Sequence, residues 1–139
     1  MRIGITGVNG FLGGAVYKKL GEIGHFIVSL DSITLKEFSA KRIKESNITD
    51  IDWVLHFGSK TSIPDSHIDP FSTYASNISS TLSALKIAEI TNSGFLLMSS
   101  FVYGSHQYSP IDEKHPVSAS NPYMSSKIVS EEICTQITK

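Results

Sequence analysis

Three glycines, one aspartate and a tyrosine–lysine pair are the residues of this 139-residue chain whose types and spacing could do chemistry. Gly7, Gly10 and Gly13 stand in Thr6-Gly7-Val8-Asn9-Gly10-Phe11-Leu12-Gly13, where a first apolar run hands over to a helical pattern. Each glycine has a physical reason: Gly7 for a tight turn, Gly10 for backbone approach to a pyrophosphate, and Gly13 for close packing of helix on sheet. The free N–H groups and partial positive charge at the start of that helix suit phosphates. A glycine-rich turn without a ligand is the alternative for the triplet alone.

Asp31 lies 18 residues after Gly13, at the end of a second β-rich run and beside Ser32. A carboxylate there can accept both ribose hydroxyls of an adenosine, and it repels a 2′-phosphate, so NAD is favoured over NADP. Aspartate also caps helices and turns, which is its plainer role. Strand, glycine turn, helix, strand and acid, in this order, favour the cofactor site.

Tyr123 and Lys127 are four apart in a helical segment, which puts them on one face, one turn apart. An ammonium so placed favours a phenolate and suits the pair to proton transfer. Such pairs also arise by chance in many helices, so the spacing alone assigns them nothing.

The elements that must position these residues alternate. Arg2–Thr6, Phe26–Leu30, Asp52–Phe57 and Phe95–Met98 read as buried strands. Leu12, Val16 and Leu20 mark a helix from Gly10, with stop signals at Gly21 and Gly24. Residues 34 to 46, with Leu35 and Phe38, suggest a short solvated helix, and 58 to 70, with Pro64 and Pro70, a polar loop. Tyr74, Ile78, Leu82 and Leu85 predict a long helix from Phe71 to Ile90. The loop from Gly104 to Pro122 is kept irregular by prolines, and Asn121-Pro122 starts a last helix, Tyr123 to Ile137. The order β-α-β-α-β-α-β-α implies an α/β, Rossmann-type parallel sheet with helices on both faces.

Composition narrows the partners. The formal net charge of −1, with scattered charges, gives no footprint for nucleic acid or an anionic membrane. No apolar run is long enough to span a bilayer, and the N-terminus enters a strand pattern without a signal-type segment. The single cysteine, Cys134, cannot pair within the chain, which points to a reduced, cytoplasmic setting and a packing role. The five histidines lack paired metal spacing, so no metal site is expected.

The motifs together resemble the extended short-chain dehydrogenase/reductase family, and within it the NAD-dependent nucleotide-sugar epimerases and dehydratases. The resemblance runs through the glycine segment, Asp31, Asp52-Trp53-Val54-Leu55-His56-Phe57, Ser62 to Pro70 with Asn77 and Thr81, Ser99-Ser100-Phe101-Val102-Tyr103-Gly104, and Asn121-Pro122-Tyr123-Met124-Ser125-Ser126-Lys127. It implies NAD as cofactor and a nucleotide sugar as substrate. Ser99 would hydrogen-bond the reacting sugar oxygen, Tyr123 would be the acid/base, and Lys127 would hold the nicotinamide ribose. Cofactor contacts would come from Gly7, Gly10, Phe11, Leu12, Gly13, Asp31, Ser32, Phe57, Gly58, Ser59 and Asn77, together with Tyr123 and Lys127. It further implies a homodimer through the 71–90 and 123–137 helices; the plainer account is that their apolar residues face the sheet. An epimerase is the leading reading, with a non-catalytic NAD-binding domain or a reductase of the same family as alternatives.

Three features depart from that pattern. Ser100 and Phe101 follow Ser99 where sugar dehydratases place an acidic pair, which argues against 4,6-dehydration. Between Asp31 and Asp52 only Ser46–Asp50 remains for the strand the family fits there, too short to read as one, so adenine binding is expected to be weaker and a sheet edge lost. The sequence stops soon after the tyrosine helix, so residues 1–139 are expected to be an NAD-binding domain truncated before the substrate-binding region, leaving an apolar sheet edge and face in need of cover.

Overall fold

A computed structural model describes residues 1–34, 38–46 and 48–137. Four parallel strands, β1 (Arg2–Thr6), β2 (Phe26–Ser29), β3 (Trp53–His56) and β4 (Gly94–Leu97), form one sheet in the order β2-β1-β3-β4. The strands are short: each is a run of four or five residues, mostly apolar or β-branched. Between them run α1 (Phe11–Glu22), α2 (Asp31–Thr34), α3 (Ala40–Glu45), α4 (Ile63–Ile68) and α5 (Pro70–Thr91), and α6 (Pro122–Ile137) closes the order. The expected Rossmann-type architecture is present.

The chain steps from β1 out to β2, then back across β1 to β3 and on to β4. Right-handed crossovers in opposite directions place their helices on opposite faces. Accordingly α1 lies on β1 and β2, whereas α2, α3, α4 and α6 gather around α5, which covers β3 and β4. Gly4, Val28, Val54 and Phe95 align across the sheet on the α5 side. There Val54 packs with Leu30, Ile43, Ile51, Ala84 and Ile87 as the core. Full burial of each large aliphatic side chain contributes about 1.5–3 kcal/mol. On the α1 side Ile3 and Ile5 are covered, but Trp53 and Leu96 are each 43% exposed.

Two local readings change. The stretch taken as a polar loop over 58–70 contains α4. Pro64 sits in the first turn, where its missing N–H costs nothing, and Ser62 Oγ accepts from Asp65 N at 3.2 Å. Of the helix foreseen over 34–46, the described part is α3, capped by Ser39 Oγ accepting from Arg42 N at 3.3 Å. Leu35 lies outside the described residues. Between β2 and β3 no described residue is in a strand; instead Ile43, Ile48 and Ile51 point into the core, and β2 is the sheet edge. Residues 98–121 carry no helix or strand, as the prolines imply, and are tied by Ser118 N donating to Val102 O at 2.9 Å. No described helix is long and apolar enough to cross a membrane.

Candidate active site

The crossovers diverge between β1 and β3, so a crevice opens beyond the carboxyl ends of those strands. A cleft of about 600 Å³ lies there, lined by the β1–α1 turn, the segment after β3, Met98 and Ser99 after β4, and Tyr123 and Lys127 of α6.

The turn is built as its glycines require. Gly7 has φ +75°, a left-handed conformation in which a side chain would also meet Phe57 and Gly58. A Cβ at Gly13 would lie 2.1 Å from Gly7 O, so the first turn of α1 rests directly on the β1–α1 turn. Gly10 caps α1 with no side chain bonded to the first amides, leaving N–H groups of the first turn without intrahelical partners. Phe11, 93% exposed, and half-exposed Leu12 flank this helix start and line the cleft.

Asp31 opens α2 directly after β2 and reaches the same turn. Its carboxylate accepts from Gly7 N at 2.5 Å and Val8 N at 3.1 Å. It therefore caps a turn, the plainer role the sequence left open for it, though the turn lies 23–24 residues earlier in the chain, and a carboxylate offers about four lone-pair sites and keeps some for a ligand.

The segment after β3 hangs on Thr6. Its hydroxyl oxygen accepts from Phe57 N at 3.0 Å and Gly58 N at 2.9 Å. Both lone pairs are thus used, so its hydrogen goes to His56 Nδ1, 2.7 Å away. His56 is then the neutral tautomer with hydrogen on Nε2, which donates to Thr81 Oγ1 at 3.3 Å. Burial, reinforced by the Lys127 charge, lowers the His56 pKa to about 3.

Two residues expected at the cofactor stand elsewhere. Asn77, on α5, is buried in the scaffold: its Oδ1 accepts from Lys60 N at 2.7 Å, and Nδ2 donates to Lys60 O at 3.1 Å and Ser126 Oγ at 2.9 Å. It ties the cleft wall to α5 and α6 instead of lining the cleft, with both amide hydrogens and one oxygen lone pair taken by protein. Ser32 is exposed on α2 and also lies outside the lining. Gly7, Gly10, Phe11, Leu12, Gly13, Asp31, Phe57, Gly58, Ser59, Ser99, Tyr123 and Lys127 all line the cleft.

The cleft also contains Asn9, Lys60, Thr61, Ser76 and Met98, which sequence reasoning did not single out. Lys60 and Thr61 continue directly from Ser59, so their signal was adjacency alone. Lys60 Nζ donates to Ser72 Oγ at 2.5 Å.

α6 begins at Pro122, and Asn121 Oδ1 accepts from Met124 N at 2.8 Å, fixing the first turn. Tyr123 and Lys127 are both buried on the cleft side, Lys127 only 3% exposed. Burial pushes the Lys127 ammonium down, and the Glu131 carboxylate opposes that shift. Glu131, one turn further, accepts a hydrogen bond from Ser99 Oγ. α6 packs on α5 through Asn77–Ser126 and Thr81 Oγ1 donating to Ser130 Oγ at 3.2 Å. Cys134 is half-buried among Leu85, Leu97 and Ile137, and burial pushes its thiol up.

The sequence matches the NAD dependent epimerase/dehydratase family over residues 3–139. It is 28% identical to UDP-glucose 4-epimerase of Bacillus subtilis over 158 residues, covering 96% of this chain and 47% of that protein. Against the human UDP-glucose 4-epimerase it is 27% identical, over 93% of this chain and 46% of that protein. The fold is similar to the crystal structure of UDP-glucose 4-epimerase from Bifidobacterium longum in complex with NAD⁺ and UDP, with a TM-score of 0.85 and 26% identity, covering 99% of this chain and 49% of that one. The chain spans about half the length of the relatives it matches.

Proposed function

The chain belongs to the NAD dependent epimerase/dehydratase family, and on that premise we propose that it holds NAD in the cleft and serves as the cofactor-binding and catalytic half of a nucleotide-sugar epimerase. The observation that carries this reading is the convergence of Ser99, Tyr123 and Lys127 on the same cleft as the glycine turn and Asp31. A cleft of about 600 Å³ falls within the range of cofactor sites.

The residues fit the cofactor. The unpartnered amides at the start of α1 suit its phosphates, and no side chain competes for them. The free lone pairs of Asp31 suit ribose hydroxyls, and its charge opposes a 2′-phosphate. Phe57, Gly58 and Ser59 line the cleft beside the turn. When bound, NAD supplies the acceptor and donor of hydride. Tyr123 takes the proton from a sugar hydroxyl and later returns it. Ser99 hydrogen-bonds the reacting sugar oxygen. Lys127 orients the nicotinamide ribose and keeps positive charge beside Tyr123. The absence of an acidic pair after Ser99 favours epimerisation over dehydration.

The outward faces of α5 and α6, where Phe71 is highly exposed, are the surfaces through which two copies would associate; sedimentation of the purified chain tests that association.

The functional test is to add NAD and then a UDP-hexose to the purified chain. A rise in melting temperature with NAD, followed by conversion of the sugar to its 4-epimer, is expected. Stabilisation by NAD without conversion would reduce the function to cofactor binding. No stabilisation at millimolar NAD would remove both.

A further inference from the structure

We propose that Lys60 is a substrate-binding residue whose ammonium receives an anionic group of the nucleotide sugar, either its phosphate oxygens or a carboxylate on the sugar. The inference rests on the proposed function for the identity of the ligand as a nucleotide sugar.

The carboxyl ends of the strands set out the cleft in order. Across the sheet, β2, β1, β3 and β4 are followed by Asp31, the glycine turn, residues 57–61, and Met98 with Ser99. Lys60 therefore stands beyond the glycine turn from Asp31, on the side of Ser99 and α6. Among the described residues, Asp31, Lys60 and Lys127 are the charged groups that line the cleft. Asp31 suits the adenosine ribose, Lys127 shares a helix face with Tyr123, and the turn offers its amides to the cofactor phosphates. Lys60 is left over, at the reacting end.

Its backbone is clamped there. Asn77 Oδ1 accepts from Lys60 N at 2.7 Å and Asn77 Nδ2 donates to Lys60 O at 3.1 Å, so one side-chain amide grips the residue on both sides. The same Nδ2 donates to Ser126 Oγ at 2.9 Å, and Ser126 stands between Tyr123 and Lys127 on α6. Lys60 is thereby fixed relative to the helix that carries the chemistry. Lys60 itself is exposed, and no ion pair among the described residues includes it. Its Nζ has three hydrogens and gives one to Ser72 Oγ at 2.5 Å, which leaves two for a ligand. Ser72 and Ser76 are four apart on α5, and Ser76 also lines the cleft, so the ammonium is held at the cleft rim. An unpaired ammonium is a point charge suited to phosphate or carboxylate oxygens, whereas the hydroxyls of a neutral hexose bring no charge to meet it.

The test uses the full chain with Lys60→Met, which removes the ammonium and keeps the stem and the backbone clamp. Calorimetric titration gives the Kd of UDP-glucose, UDP-glucuronate and UDP, and the thermal shift reports NAD. Lys60→Met is expected to weaken UDP-glucuronate about tenfold or more, the usual effect of losing a hydrogen bond to a charged group, and Lys60→Arg to recover most of it. The melting temperature without ligand, and its rise with NAD, should match those of the unaltered chain. Equal losses for all three ligands place phosphate oxygens at Lys60; a loss confined to UDP-glucuronate places a sugar carboxylate there. Unchanged affinities would overturn the proposal. So would an equal loss for NAD, which assigns Lys60 to the cofactor, or the absence of binding of any UDP ligand to the unaltered chain. If NAD does not stabilise the unaltered chain, the functional reading fails, and the UDP titrations alone decide the role of Lys60.

Discussion

The Asp31 carboxylate accepts a 2.5 Å hydrogen bond from the Gly7 amide and so pins the glycine turn to the end of the second strand. One side chain thus shapes the turn and supplies charge to the cleft. Asp31→Ala should lower stability by about 1.5–3 kcal/mol, the usual range for a hydrogen bond to a charged group. It should also weaken NAD binding about tenfold or more, while NADP loses less because the repelling charge is gone. Thermal shifts with each dinucleotide measure the two losses; an unchanged preference for NAD would contradict the role given to the carboxylate.

Gly10 and Gly13 should separate binding from folding. A methyl at Gly13 would lie 2.1 Å from Gly7 O, whereas one at Gly10 meets only that oxygen, at 3.2 Å. Gly13→Ala is expected to cost about 1–3 kcal/mol or more through overpacking. Gly10→Ala should leave the melting temperature nearly unchanged and abolish its rise with NAD. Equal destabilisation by the two would argue against this arrangement.

Acid should weaken the fold through His56. Its pKa falls from 6.5 to about 3 in the folded chain, so below 6.5 the unfolded chain binds a proton that the folded one refuses. Stability is therefore fully present above pH 6.5 and lost as the pH falls towards 3, at up to about 1.4 kcal/mol per pH unit. Urea unfolding at several pH values should show this slope, and His56→Gln should flatten it.

Asn77→Ala removes three hydrogen bonds at once, one buried and two partly buried, and leaves Lys60 N, Lys60 O and Ser126 Oγ without that partner. A loss of about 2–4 kcal/mol is expected. Because Lys60 lines the cleft, NAD binding should weaken as well; chemical denaturation and a NAD titration report the two effects.

Tyr123→Phe should reduce epimerisation about a hundredfold or more, the usual range for loss of a general acid/base. NAD binding should persist, since the ring that lines the cleft is kept. Undiminished conversion in this variant would remove Tyr123 from the acid/base role.

The strands and the long helices are legible in the sequence because short apolar runs and four-residue periodicity are local patterns. The glycine turn is legible for the same reason, since its contacts lie within a few residues. Helix α4 was obscured by Pro64 and Pro70, although Ser62 and Asp65, three apart, carry a cap signal. What local pattern could not decide were contacts between segments far apart in the chain. Asp31 binds amides 24 and 23 residues away, Asn77 binds Lys60 and Ser126 instead of facing the cleft, and Glu131 meets Ser99 across 32 residues.

The order of residues by itself determined the alternating elements, the turn at Gly7 to Gly13 and the pairing of Tyr123 with Lys127 on one helix face, because each depends on neighbours along the chain. Only the tertiary structure decided which polar side chains reach the cleft and which brace its walls. That choice depends on where buried donors and acceptors find partners, and burial is a property of the packed chain rather than of any segment.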